Sequence, residues 1–275
     1  MTEWSKVRSC ILEEEKRIRN DHNLEIRVYG TGSQGYRLLR DCLYQEYYQM
    51  GRYTAEEIWN GNTQRSKILR KQIHEYWTFL CIVRALMTNL KLKEPKTVFY
   101  QPCRSKVQKS AVTTPNGDIF VEPALLPYDR DEILEEYGDI PYLKKYETRI
   151  NIVPDFVILK RDKIPWAAHK GIKWIYEISK EAKEAYIKFS KMWKELAKDA
   201  LIIECKEEKL AKGDITQILW YRFGYDCKVL LIAQEKVKNE EKELLNQCGI
   251  DVIEDFRICD SEKCFNALAS YMGMN

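Results

Sequence analysis

The sequence predicts an α/β fold, and three observations carry that prediction. The last third alternates apolar, β-branched runs with helical stretches: ALIIECK (200–206), a helix over about 214–223, VLLIA (229–233), the charged helix VKNEEKELLNQC, and DVIEDFRI. Strands and helices alternating at these lengths require parallel crossovers. Two further strand-like segments, TVFYQ (97–101) and INIVPDFVIL (150–159), flank a hairpin signal at Pro115-Asn116-Gly117-Asp118.

The first 95 residues read as mainly helical. An opening amphipathic helix carries Trp4, Val7, Ile11 and Leu12 at helical spacing. A short strand, LEIRVY (24–29), leads to a helix through YRLLRDCLYQEYY. AEEIW (55–59) and a turn at NGN come next, then a long helix over about 63–90. The expected organisation is a helical region at 1–95 and an α/β domain at 96–275. Within the latter, 161–199 reads as a helical insertion with Tyr186, Phe189, Trp193 and Leu196 on one face. Gly249 fits the residue just past a helix C-terminus.

Composition narrows the function classes. The chain of 275 residues is 45% hydrophobic and 32% charged, which excludes wholesale disorder. No apolar run approaches the ~20 residues of a membrane span, and the first residues lack the apolar core of a secretory signal, so a cytoplasmic protein without membrane contact is expected. With 45 Lys+Arg against 42 Asp+Glu, the net charge of +3 does not announce a nucleic-acid binder; any basic surface is local. The nine cysteines include no CxxC pair and read as reduced, buried thiols. Cys248, Cys259 and Cys264 with Cys103 form only a loose cluster, without the tight spacing of iron–sulfur ligands.

The most informative residues are Pro154-Asp155 and, 49 positions beyond that aspartate, Glu204-Cys205-Lys206. Alternation along a strand puts Glu204 and Lys206 on one face, so that face begins apolar at Ile202 and ends charged. Asp155, between Val153 and Val157, interrupts an apolar strand. Charges embedded in apolar strands are costly unless paired or metal-bound. Two carboxylates and a lysine can hold a hard divalent cation and steady an attacking water, which is the apparatus of phosphodiester hydrolysis. The simpler alternative is a turn-capping aspartate and a surface ion pair. Gln217 and Tyr221, one turn apart on the next helix, favour the chemical reading by lying where they can face the carboxylates.

In this combination the chain resembles the PD-(D/E)XK nuclease superfamily over roughly 140–260, through Pro154-Asp155, Glu204-x-Lys206, Gln217-x-x-x-Tyr221 and the strand VLLIA. The resemblance implies a restriction-endonuclease-like central mixed sheet flanked by helices. It implies Asp155 and Glu204 as ligands of Mg²⁺ (with Mn²⁺ able to substitute), the Cys205 backbone carbonyl as a further ligand, and Lys206 as catalytic. Gln217 and Tyr221 look like the auxiliary motif of the RecB-like branch. Two departures stand out: the long Asp155–Glu204 separation, and the absence of that branch's iron–sulfur cysteine pattern. Family members often carry one more acid on an upstream helix; Glu75 in QIHEYW is the candidate, with Glu135 and Glu136 as rivals.

Two other motifs compete for attention. GTGSQG (30–35) matches GxGxxG between a strand and a helix, yet no second strand ending in an acid follows about 20 residues on, so a glycine-rich helix-capping turn is expected rather than a nucleotide site. Segment 53–73 has the rhythm of a helix-turn-helix, with Arg65, Lys67, Arg70 and Lys71 as candidate DNA-binding residues on the outer side of its second helix. The expectation is therefore a Mg²⁺-dependent DNA endonuclease, of the site-specific type II restriction kind or, as the alternative, a repair, recombination or mobile-element nuclease, with a homodimer suiting symmetric two-strand cutting. The alternatives are a DNA-binding protein on the same scaffold without catalysis, and a nucleotide-cofactor enzyme using Gly30, Gly32 and Gly35.

Overall fold

Side chains alternating along a strand face opposite layers, and here both layers are filled. The computed structural model describes residues 2–30, 34–45, 49–50, 53–102, 110–123, 130–143, 153–159 and 199–273. Its centre is a six-stranded sheet of β5 (Val112–Thr114), β6 (Gly117–Val121), β7 (Phe156–Leu159), β8 (Leu201–Lys206), β9 (Lys228–Ala233) and β10 (Ile250–Ile253), in spatial order β10-β9-β8-β7-β6-β5. The β5–β8 neighbours pair antiparallel, while β8–β9 and β9–β10 pair parallel. The parallel crossovers are the helices α6 (Lys212–Tyr225) and α7 (Asn239–Gln247). The mixed α/β class and the Asn-Gly hairpin, which joins β5 to β6 at Thr114↔Gly117, agree with expectation. So does Gly249, which has φ 72 just beyond α7.

One face of the sheet packs Phe120, Val157, Ile202, Val229 and Leu231 against Ile215, Ile218 and Leu219 of α6 and Ile133 of α5 (Arg130–Tyr137). The other face packs Phe156, Ile158, Ile203, Cys205 and Ile232 in one continuous core with α1 (Glu3–His22), α4 (Gln64–Leu86) and α8 (Ser261–Tyr271). The core therefore runs without a break across the expected boundary at residue 95. α4 is its axis. Thr63 caps its first turn by accepting from the Ser66 N–H, and from Ile73 to Val83 every residue is buried. A helix buried on all sides is a central one.

Around this axis lie β1 (Leu24–Val28), α2 (Gln34–Tyr44), the short pair β2 (Gln49–Met50) and β3 (Tyr53–Thr54), and α3 (Ala55–Asn60). β4 (Lys96–Tyr100), expected to open the α/β domain, instead pairs in parallel with β1 as a separate two-stranded sheet. The strand read over 150–159 begins only at Phe156, with Asp155 on a bend before it; Pro154 has no N–H to give a ladder. The final strand stops at Ile253, and α8 had no sequence expectation. The insertion expected at 161–199 lies outside the described residues apart from Asp199.

Not all cysteines are reduced. Cys10 of α1 is disulfide-bonded to Cys259, ahead of α8, where sequence distance had hidden the pair. Cys42, Cys81, Cys205, Cys227 and Cys264 are free and buried as expected, and Cys248 is free and half-buried. With Cys259 taken, the loose cysteine cluster is not a ligand set; Cys103 lies outside the described residues. Among the described residues no helix is long and apolar enough to cross a membrane.

Candidate active site

The Asp155 bend and the β8 strand meet because β7 and β8 pair antiparallel with Phe156 opposite Ile203. That register sets Asp155 beside Glu204. Asp155 Oδ2 accepts the Cys205 N–H at 2.7 Å, which fixes the carboxylate to the strand carrying the Glu-x-Lys motif. Both acids are buried, Asp155 at 5% exposure and Glu204 at 3%.

α4 delivers the third acid. Glu75, 1% exposed, accepts from Gln72 Nε2 at 2.7 Å and pairs with Lys71 Nζ at 3.1 Å. The same ammonium stands 4.0 Å from Asp155 Oδ1. Lys71 thus bridges an acid of the helix and an acid of the sheet. A second lysine serves the other side: Lys206 Nζ lies 3.0 Å from Glu204 Oε1 and 2.7 Å from Asp214 Oδ1 in the first turn of α6. Asp214 is itself held by accepting the Ala211 N–H at 2.8 Å.

The electrostatics follow from crowding acids out of water. Burial, then the Asp155 charge, drives the Glu75 carboxyl well above its usual range. The same two causes push Glu204 up to about 7, against the pull of Lys206 and Lys71. For Lys71 the Glu75 charge comes first and raises its pKa. Burial works against the Lys206 ammonium, but Glu204 and Asp214 outweigh it and its pKa rises. Three buried carboxylates face two lysines, one of them shared with Asp214. Among the described residues, Glu204 Oε2 is buried without a hydrogen-bond partner.

The structure brings together Asp155, Glu204, Lys206 and Glu75 as the sequence reading expected. Glu135 and Glu136 lie on α5, on the opposite layer. Gln217 and Tyr221 bond to each other, Nε2 to hydroxyl at 2.5 Å, and the α6 residue that reaches the acids through Lys206 is Asp214. Sequence reasoning missed Asp214, although it stands one turn before Gln217. It also missed Glu122, which follows β6 at φ 43, donates its N–H to the Asp155 carbonyl at 2.8 Å, and acts by its charge on Glu75.

Of the basic set of 53–73, Arg65, Lys67 and Lys71 are exposed on α4 and Arg70 is half-buried. Arg70 turns back and donates to the Trp59 and Gly61 carbonyls, both at 3.0 Å, closing the end of α3. Lys71 enters the carboxylate cluster. Arg65 and Lys67 are exposed. The rest of α4 is buried from Gln72 to Val83, so its first turns are the part that meets solvent. Those turns stand near the end of β8, since the charges of Arg70, Lys71 and Lys67 all act on Glu207.

Gly35, in the GxGxxG match, gives a close approach of α2 to α4: a Cβ there would lie 3.1 Å from Gln72 Cγ. The Arg40 guanidinium lies over Gly30 where a Cβ would be. Gly32 lies outside the described residues. Among the described residues, no three His, Cys, Asp or Glu side chains are grouped to hold a metal ion; in the carboxylate cluster, lysine ammonium groups lie against the acids instead. In comparison with known proteins, no family model, no curated protein and no solved structure matches the chain.

Proposed function

We propose that this protein is a metal-dependent nuclease that hydrolyses DNA phosphodiester bonds at the Asp155–Glu204–Lys206 cluster, on a restriction-endonuclease-like scaffold of the PD-(D/E)XK superfamily. The observation that carries the reading is the joining of Asp155 to the Glu-x-Lys strand by the Cys205 N–H, beside a buried Glu204 oxygen that has no partner among the described residues. An excess of buried carboxylate over ammonium favours a small divalent cation, and Mg²⁺ needs only one or two carboxylates because it keeps several waters. Asp155 and Glu204 would hold it, with the Cys205 carbonyl as the further ligand implied by the resemblance. Bound there, Mg²⁺ (or Mn²⁺) supplies Lewis-acid polarisation of a phosphoryl oxygen and activation of water.

The chain's own residues supply the rest. Lys206 keeps its proton, because Glu204 and Asp214 flank it, and sets a fixed positive charge against the charge that develops on the phosphate. Asp214 shares the Lys206 ammonium with Glu204. Lys67 and Arg65, exposed on the first turns of α4, suit contact with the flanking backbone phosphates. Lysine heads against the acids favour a second reading, a DNA-binding scaffold without hydrolysis, whose binding is steeply salt-dependent and indifferent to EDTA. The test is strand breakage in Mg²⁺ by Asp155→Ala and Lys206→Ala proteins with unchanged circular dichroism. Both are expected to lose cleavage; undiminished cleavage by the two would overturn the assignment.

A further inference from the structure

We propose that Lys71 is a movable counter-ion: in the free protein its ammonium lies against Glu75 and Asp155, and when a divalent ion binds at Asp155 and Glu204 it transfers to a backbone phosphate of the nucleic acid. The inference rests on the metal-dependent reading above. Its basis is the unequal footing of the two lysines. Lys206 is 18% exposed, rooted on a central strand, and held by two acids at 3.0 and 2.7 Å. The Lys71 side chain is 57% exposed, yet its head reaches back to two buried acids, Glu75 at 3.1 Å and Asp155 at 4.0 Å.

A lysine is a compact point charge on a flexible four-carbon stem, so it exchanges partners by rotamer change alone. The α4 backbone beneath it is fixed by the Thr63 cap and by burial from Gln72 onward, so only the side chain needs to move. Removing its charge leaves Asp155, a ligand of the proposed site, without the ammonium that competes with a divalent ion for it. The released head then points to solvent beside Lys67, where two adjacent cations suit a phosphodiester oxygen.

The experiment is Mn²⁺ binding followed by the spectrum of the free ion, without nucleic acid, for wild type, Lys71→Met, Lys71→Arg and Lys91→Met. Lys91 donates to the Asn20 carbonyl and serves as the control for charge loss alone. Lys71→Met is expected to bind Mn²⁺ about fivefold or more tightly than wild type, because a competing cation is gone. Lys71→Arg and Lys91→Met are expected to stay near wild type. In EDTA, Lys71→Met is expected to melt below wild type and to recover with Mn²⁺. Equal Mn²⁺ affinity in wild type and Lys71→Met would overturn the role of Lys71 and leave the metal reading standing. No Mn²⁺ binding by any of the four proteins would overturn both.

Discussion

Glu204 has the environment that most sharply separates a stabilising residue from a functional one. Its carboxyl is pushed up to about 7 from an ordinary 4.5, chiefly by burial and then by Asp155. Between those pH values the folded protein holds a proton that the unfolded chain has lost. The resulting stability is full below about 4.5 and disappears as pH rises through about 7. At pH 8 the native state carries a buried charge that a glutamine would spare it. Glu204→Gln is therefore expected to be more stable than wild type at pH 8 in EDTA, by up to roughly 3 kcal/mol, with the advantage shrinking toward pH 5. Melting temperatures of the two proteins at both pH values check this; an unchanged difference between them would contradict it. A residue whose removal stabilises the fold is expected at a site selected for chemistry.

At the scale of elements, α8 is the piece that closes the structure. Ser261 Oγ donates to Glu14 Oε2 at 2.6 Å, Arg84 pairs with Glu262 at 2.9 Å, and the Cys10–Cys259 disulfide ties α1 to the segment leading into α8. A cross-link between residues 249 apart restricts the unfolded chain strongly. Cys259→Ser, or wild type in dithiothreitol, is expected to lose about 2–4 kcal/mol in urea unfolding. The same midpoint with and without reductant would contradict this. These elements also mark what the sequence could and could not reveal. β8, α6, β9, α7 and β10 were legible because their apolar periods and caps are local. The Cys10–Cys259 pair and the β1–β4 pairing were not, because both are contacts between distant segments that leave no periodic trace. Asp155 was legible as a buried charge, but its place on a bend was hidden by an apolar run that reads as one strand through Pro154.

For the whole molecule, a net charge of +3 conceals a local separation that matters more. Acids collect where α4, β7 and β8 meet, and basic residues of the first turns of α4 stand close by. One continuous core joins α1, α4 and α8 to the face of the sheet that carries Cys205, so the helical half supplies Glu75 and Lys71 to the site. Lys71 and Glu75 were read separately, as a DNA-binding candidate and an upstream acid; that α4 lies against the Glu-x-Lys strand and joins them at one site leaves no trace in the sequence. The most direct test of the central claim is incubation of supercoiled plasmid with the purified wild-type protein, with Mg²⁺ and with EDTA, resolved on a gel. Nicked and linear DNA appearing only with Mg²⁺ is the predicted result. Plasmid left intact in Mg²⁺, or broken equally in EDTA, would contradict it.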